Sequence, residues 1–297
     1  MGSAPAVVSA RGTRVPRLIY GTAWKKERTA ELVERALLAG MRGIDTACQP
    51  KHYDEAGVGR GVAAAAARGI ARAELYLQTK FTEISGQDPK RVPYDVAASL
   101  PEQVRQSCQA SLLNLQTAYL DCLVVHSPLS PFERTLQVWR ELEALVDRGL
   151  VRELGLSNCH DLRQLETLHA AARVKPLVLQ NRFHAARGYD REIRAFCLAR
   201  GLLYQSFWTL SANRELLARA HVRALAARYA VTPEQLFFRG LTQIGIVPLT
   251  GTTSAEHLAQ DLAIFDFELS SADLQELVGS LEAATSSRPA PERHRTR

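Results

Sequence analysis

Short apolar runs rich in strand-forming residues alternate along the chain with longer stretches of helical period. The runs are Leu18-Ile19-Tyr20, Gly43-Ile44, Leu75-Tyr76-Leu77, 120–125, 151–156, Leu177-Val178-Leu179, Leu202-Leu203-Tyr204 and Ile246-Val247, which makes eight. Between them, stretches at 29–40, 58–68, 101–115, 135–149, 162–173, 189–201 and 215–242 predict helices. In the fourth stretch Val138, Leu142, Leu145 and Gly149 share one helical face, and glycines 40, 149 and 201 each stand just before the next strand as helix-end punctuation. Eight strand-helix units predict an α/β protein of the closed (β/α)8 TIM barrel type, one domain over 1–286, with its site in the loops that follow the strands. An open doubly wound sheet is the alternative. That fold usually carries Gly-x-Gly-x-x-Gly after its first strand, where this chain reads Gly21-Thr22-Ala23-Trp24. Residues 7–15 predict an N-terminal hairpin plugging the barrel bottom, and 270–281, opening on a Ser-x-x-Asp cap, predict an added C-terminal helix.

At 297 residues and 46% hydrophobic, the chain can bury one large core. No apolar run approaches the roughly 20 residues of a membrane span, and the start lacks the pattern of a signal peptide, so a soluble, cytoplasmic protein with no membrane partner is expected. The net charge is +6, but residues 287–297 carry four arginines against one glutamate. This segment reads as a disordered basic tail, and the body keeps only +3 without a basic stripe, so no nucleic-acid partner is expected. Five scattered cysteines form no Cys-x-x-Cys pair and suggest neither a disulfide framework nor a metal site. Cys48 and Cys159 fall in or beside likely site loops, where packing and reactivity are both open.

Polar residues stand where three of the strands run out. Asp45 follows Arg42-Gly43-Ile44, Lys80 follows Leu75-Tyr76-Leu77-Gln78-Thr79, and His126 follows Cys122-Leu123-Val124-Val125, with Tyr53 in the loop after Asp45. A phenol of pKa about 10 is a poor acid at neutral pH, but a nearby ammonium stabilises the phenolate. Lys80 can do this for Tyr53, Asp45 can hold the lysine charged, and a neutral His126 can hydrogen-bond the oxygen to be protonated. The set is a catalytic candidate for reductase chemistry.

Five segments, Gly43-Ile44-Asp45-Thr46-Ala47, Gln78-Thr79-Lys80, Leu123-Val124-Val125-His126-Ser127-Pro128, Gly155-Leu156-Ser157-Asn158 and Phe265-Asp266-Phe267-Glu268-Leu269, resemble the aldo-keto reductase superfamily in this order. The resemblance covers roughly residues 15–281 and implies a barrel that binds a nicotinamide cofactor and reduces aldehydes or ketones. It implies Asp45, Tyr53, Lys80 and His126 as the catalytic residues. The family's tyrosine more often follows the aspartate by five residues, where Pro50 stands here; the Gln-Pro-Lys-His-Tyr loop resembles a longer, fungal-type variant, leaving His52 as the rival of Tyr53.

The same resemblance assigns Ser157, Asn158 and Gln180 to the nicotinamide carboxamide. It places Gln205 nearest the stacking position after strand seven, beside Ser206, with Phe207 or Trp208 as replacements. Leu249, Thr250, Gly251, Thr252, Thr253, His257 and Asp261 fall to the cofactor's phosphate end. The lysine and arginine that hold a 2′-phosphate in NADPH-preferring members are missing there, and His257 lies near the arginine's place. The resemblance makes NADP(H) the expected cofactor ahead of NAD(H), and the missing cations imply weaker discrimination than a cationic clamp gives. Trp24, Phe81 and Trp208, with the loop 128–132, would select a small carbonyl substrate of apolar or aromatic character in an open site. The rival function is a non-catalytic nucleotide-binding barrel in a regulatory or interaction role. The oligomeric state stays open, a monomer being favoured.

Overall fold

A computed structural model describes residues 5–286. The chain opens with a hairpin of β1 (Ala6–Val8) and β2 (Arg14–Pro16), paired antiparallel with Val7 opposite Val15. Eight parallel strands then close on themselves: β3 (Ile19–Gly21), β4 (Gly43–Asp45), β5 (Tyr76–Phe81), β6 (Leu120–Val125), β7 (Val151–Ser157), β8 (Val178–Arg182), β9 (Leu203–Phe207) and β10 (Val247–Thr250). Strand β10 pairs with both β9 and β3, which completes a (β/α)8 barrel without a free edge. Among the described residues, no helix is long and apolar enough to cross a membrane.

Each expected strand appears, and most helices appear within a few residues of the expected limits. They are α1 (Thr29–Ala39), α2 (Glu55–Ala67), α3 (Leu100–Asn114), α4 (Glu133–Asp147), α5 (Leu162–Ala171) and α6 (Arg191–Arg200). Gly149 and Gly201 sit at φ 73° and 71° after α4 and α6, the left-handed geometry that ends a helix before the chain turns into the next strand. The stretch 215–242 is three helices rather than one, α7 (Arg214–Leu217), α8 (Ala220–Arg228) and α9 (Pro233–Gln243). The break before α9 has a local cause: Ala230 adopts φ 54°, and Thr232 forms a capping box with Gln235 around Pro233. After β10 come α10 (Ala255–Leu262), capped by Ser254, and α11 (Ser271–Ser286), whose Ser270 hydroxyl accepts from the Asp273 amide at 3.2 Å.

Side chains alternate between two cores. On β6, Cys122 and Val124 join Val15, Ile19, Tyr76, Val178 and Val247 in the cluster within the barrel, so the hairpin contributes Val15 to the barrel's own filling. Leu123 and Val125 turn the other way, into the larger core between strands and helices. Helix α2 is pressed close to its neighbours: a Cβ on Gly59 would lie 2.0 Å from the Asn114 carbonyl oxygen. That seating matters because Tyr53 lies two residues before α2, whose first turn is capped by Asp54 accepting from the Gly57 amide at 2.8 Å. The expected basic tail, 287–297, lies outside the described residues.

Candidate active site

Asp45 ends β4 and Lys80 stands one residue before the end of β5, on adjacent strands at the same end of the barrel. The Lys80 ammonium donates to Asp45 Oδ1 at 2.7 Å, to Oδ2 at 2.6 Å and to the Thr46 carbonyl at 2.8 Å. All three donors of the ammonium are therefore used. Burial alone would pull the lysine pKa down, yet Asp45 and Tyr53 outweigh it and leave it raised. Asp45 Oδ1 also accepts from Gln78 at 2.7 Å and Gln180 at 2.9 Å, and both amides donate in turn to Gln205. Three glutamines thus form a closed amide network inside the barrel, with every member buried.

The Lys80 ammonium lies 5.4 Å from the centroid of the Tyr53 ring, and the His126 ring centroid is 6.2 Å from it. No hydrogen bond joins the ammonium to the phenol. Burial pushes the Tyr53 phenol above its ordinary pKa, Lys80 pulls it down, and Asp45 pushes it up again. Burial outweighs the pull of the ammonium, whose charge is shared with Asp45, so the phenol sits above its ordinary value where a lowered one was expected. His126, bonded through Nδ1 to Thr82 Oγ1 at 2.7 Å, is pushed down to about 3 by burial, Lys80 and His52. It is a neutral imidazole across the physiological range. The rival acid, His52, has Nδ1 on Gln49 Oε1 at 3.0 Å and its ring against Trp24 at 4.1 Å, and burial and Lys51 lower its pKa.

A cavity of about 950 Å³ opens at this end of the barrel and brings together Asp45, Tyr53, His126, Ser157, Asn158 and Gln180. Asn158 Nδ2 donates to the His126 carbonyl at 2.8 Å and Ser157 Oγ to the Gln180 carbonyl at 2.7 Å. Among the described residues no donor reaches Asn158 Oδ1 or Gln180 Oε1, so two amide oxygens remain to accept from a carboxamide NH₂. Phe207 forms the adjoining wall. Trp24, Asn158 and Trp208, all on the cavity wall, hold φ of 64°, 54° and 56°, in the left-handed region that residues other than glycine seldom adopt. Trp24 and Trp208 are 61% and 51% exposed, and both line the mouth.

Several expected contacts lie elsewhere. Gln205 is fully buried in the amide network below the cavity, and Ser206, one residue on, faces outward to Thr209. Strand β9 runs three residues further than its apolar run, to Phe207, which lines the mouth instead. Phe81 follows Lys80, and strand alternation turns it against Tyr94 at 5.8 Å in the helix-side core. The loop 128–132 does not line the cavity either. At the other end, Leu249, Thr250, Gly251, Thr252, His257 and Asp261 do line it, whereas Thr253 is outside, its carbonyl taken by Arg35 at 2.5 Å. Asp261 accepts from Thr250 Oγ1 at 2.6 Å, and burial pushes it up to about 6.

Three cations of the cavity escaped the sequence reading: Lys25, Arg182 and Arg214. Lys25 donates through Nζ to the Gly251 carbonyl and lies 5.7 Å from the Tyr20 ring centroid, so a charge from the β3 loop reaches the β10 loop that lacks its own. Its only sequence signal was its place beside Trp24. Burial and Arg28 lower its pKa. All five cysteines are buried, and burial raises the thiol pKa of Cys48 and moves that of Cys159 up to about 12, which leaves them as packing groups.

A barrel whose strand ends carry a buried Asp-Lys pair, a phenol and a neutral imidazole beside paired amide acceptors defines an oxidoreductase-type site. The chain belongs to the Aldo/keto reductase family, whose pattern it matches over residues 17–211, and with that family goes carbonyl reduction with a nicotinamide cofactor. It is 28% identical over 304 residues to aldo-keto reductase family 1 member A1 of Pongo abelii, covering 93% of this chain and 89% of that one. An aldo-keto reductase of Mycobacterium marinum is 30% identical over 278 residues, covering 93% and 92%. The crystal structure of an aldo/keto reductase from Brucella melitensis superposes with a TM-score of 0.80 at 26% identity, over 94% of this chain and all of that one.

Proposed function

We propose that this chain reduces an aldehyde or ketone to an alcohol at the expense of NAD(P)H, with Tyr53 as the proton donor. The observation that carries this reading is the shared cavity: a phenol that keeps its proton and a neutral histidine face one space, with a buried ammonium 5.4 Å from the centre of the phenol ring. Bound reduced nicotinamide supplies the hydride. Asn158 and Gln180 orient its carboxamide through their open oxygens, and Phe207 offers a ring to stack against.

Tyr53 gives its proton to the carbonyl oxygen as negative charge develops there. A raised ground-state pKa suits this role, because an acid must hold its proton until the oxygen becomes basic. As the phenolate forms, its attraction to the Lys80 ammonium grows, which stabilises the transition state more than the ground state. The Thr82 hydroxyl can donate to Nδ1 of His126, and in that tautomer Nε2 carries the ring proton and can hydrogen-bond the same carbonyl oxygen.

For the cofactor, NADP(H) is proposed ahead of NAD(H), because Lys25 brings a cation to Gly251 and α10 turns its N-terminus toward the same end. The test is a panel of aromatic and aliphatic aldehydes with each reduced cofactor, followed by loss of nicotinamide absorbance. Turnover with at least one aldehyde is the expected result. Quenching of Trp24 and Trp208 fluorescence by cofactor, with no oxidation on any carbonyl compound, would establish a non-catalytic nucleotide-binding barrel instead.

A further inference from the structure

Strand β8 carries one more group toward the cavity. Gln180 points into the barrel, Asn181 turns outward to Cys159 and Asp190, and Arg182 returns to the inner row at the mouth, roughly 7 Å further along at the usual rise of a strand. Its register partner is Phe207. The guanidinium carbon lies 3.9 Å from the Trp208 ring centroid and 5.9 Å from that of Phe207. The indole of Trp208 thus holds the guanidinium at the cavity mouth.

A hydrogen-bonding partner is missing among the described residues. Arg182 Nε is shielded from solvent without a hydrogen bond, and no described carboxylate comes within ion-pair distance of the side chain. The two buried carboxylates that line the cavity are committed, Asp45 to Lys80 and Asp261 to Thr250. An arginine stays charged, and a shielded donor without an acceptor costs stability unless something binds to it. A planar guanidinium presents donors for two parallel N–H···O bonds to a carboxylate, and Trp208 limits where Arg182 can swing.

We propose that Arg182 receives a carboxylate of the carbonyl substrate, so that this chain favours oxo acids and carboxylate-bearing aldehydes over neutral carbonyl compounds. The proposal rests on the reductase reading given above. The other source of anionic oxygen is the dinucleotide's phosphates, but Arg182 stands beside the carboxamide-binding amides of β7 and β8. The loop of β10, with Lys25 on Gly251, lies beyond β9.

The experiment compares kcat/KM for 4-carboxybenzaldehyde and its neutral methyl ester in the unmodified protein, in Arg182→Gln and in Arg182→Lys. Preference for the acid by about tenfold or more is expected, lost in Arg182→Gln mainly through KM and partly restored in Arg182→Lys. An acid-to-ester ratio near one in the unmodified protein, or one that Arg182→Gln leaves unchanged, overturns the proposal. So does a parallel loss of NADPH affinity in Arg182→Gln, which assigns the cation to the cofactor. Saturable quenching of tryptophan fluorescence by benzoate, in the presence of NADP⁺, reports the anion site without turnover. If benzoate binds and Arg182→Gln abolishes it while no carbonyl compound is reduced, the reductase reading falls and the anion site stands. If benzoate fails to bind while aldehydes are reduced, the anion site falls alone.

Discussion

The two ends of the cavity are built differently. At the Tyr53 end the groups around the phenol are held by others: Lys80 spends three donors on Asp45 and Thr46, Asp45 is shared by two glutamines, and His126 is fixed by Thr82. At the β10 end Thr250 and Asp261 are buried against each other, but Gly251, Thr252 and His257 are exposed or half-buried, and the cation arrives from a different loop by way of Lys25. Chemistry needs groups preorganised to within a fraction of an ångström, and packing supplies that at the strand ends. Binding of a phosphate needs only charge nearby, which several positions can supply.

The largest expected effect tests the first end. Tyr53→Phe should lower kcat by about 10³-fold, at the middle of the range for general acid catalysis, while the melting temperature changes little because only a hydroxyl is removed. A kcat within about threefold of the unmodified protein removes Tyr53 from the acid's role, and His52→Gln is then the variant to measure. Lys80→Met should also abolish turnover, but with a second signature. It strands the Asp45 carboxylate in a buried site, which costs about 3–5 kcal/mol in chemical unfolding. Equal stability losses for the two variants would mean that the phenol is structural.

How legible each end was follows from the same difference. A polar residue after an apolar run is conspicuous, so Asp45, Lys80 and His126 stood out at the ends of β4, β5 and β6, and the eight runs announced the barrel. The rule that finds them also misleads. Gln205 ends the apolar part of β9 in the same way, yet it bonds Gln78 and Gln180 inside the barrel, and the strand continues to Phe207. Hydropathy cannot distinguish a polar residue satisfied within the core from one presented to a ligand. Lys25 and Arg182 were invisible for another reason: a charged residue in a loop, or at a strand's last position, is ordinarily solvated, and only the closed barrel turns these two toward one space.

The second end gives a smaller effect. Lys25→Met should weaken NADPH binding by about tenfold to a hundredfold, as loss of one charge-assisted contact implies, and NADH binding by less. Dissociation constants from tryptophan quenching measure both. An equal loss for the two cofactors would place Lys25 on the shared diphosphate, and no loss would leave Arg214 as the remaining cation to test.

The smallest effect is one of pH. Asp261, raised to about 6 by burial, carries its charge beside Thr250 and His257 only above that pH. Its ordinary value is 3.8, so the folded state holds a proton that the unfolded chain has released between about 4 and 6. The sign follows: the protonated form favours the fold, and stability from this group declines as pH rises through 6. Asp261→Asn should therefore raise stability at pH 8 by about 1–2 kcal/mol, keeping an acceptor for the Thr250 hydroxyl, with little change at pH 4. The same charge faces the phosphate end, so NADPH should bind a few-fold tighter at pH 5.5 than at pH 8 while NADH changes less. Asp261→Asn should flatten that dependence. If it persists in Asp261→Asn and vanishes in His257→Gln, the proton sits on the histidine, and the β10 end of the cavity answers pH through its cations instead of its one buried acid.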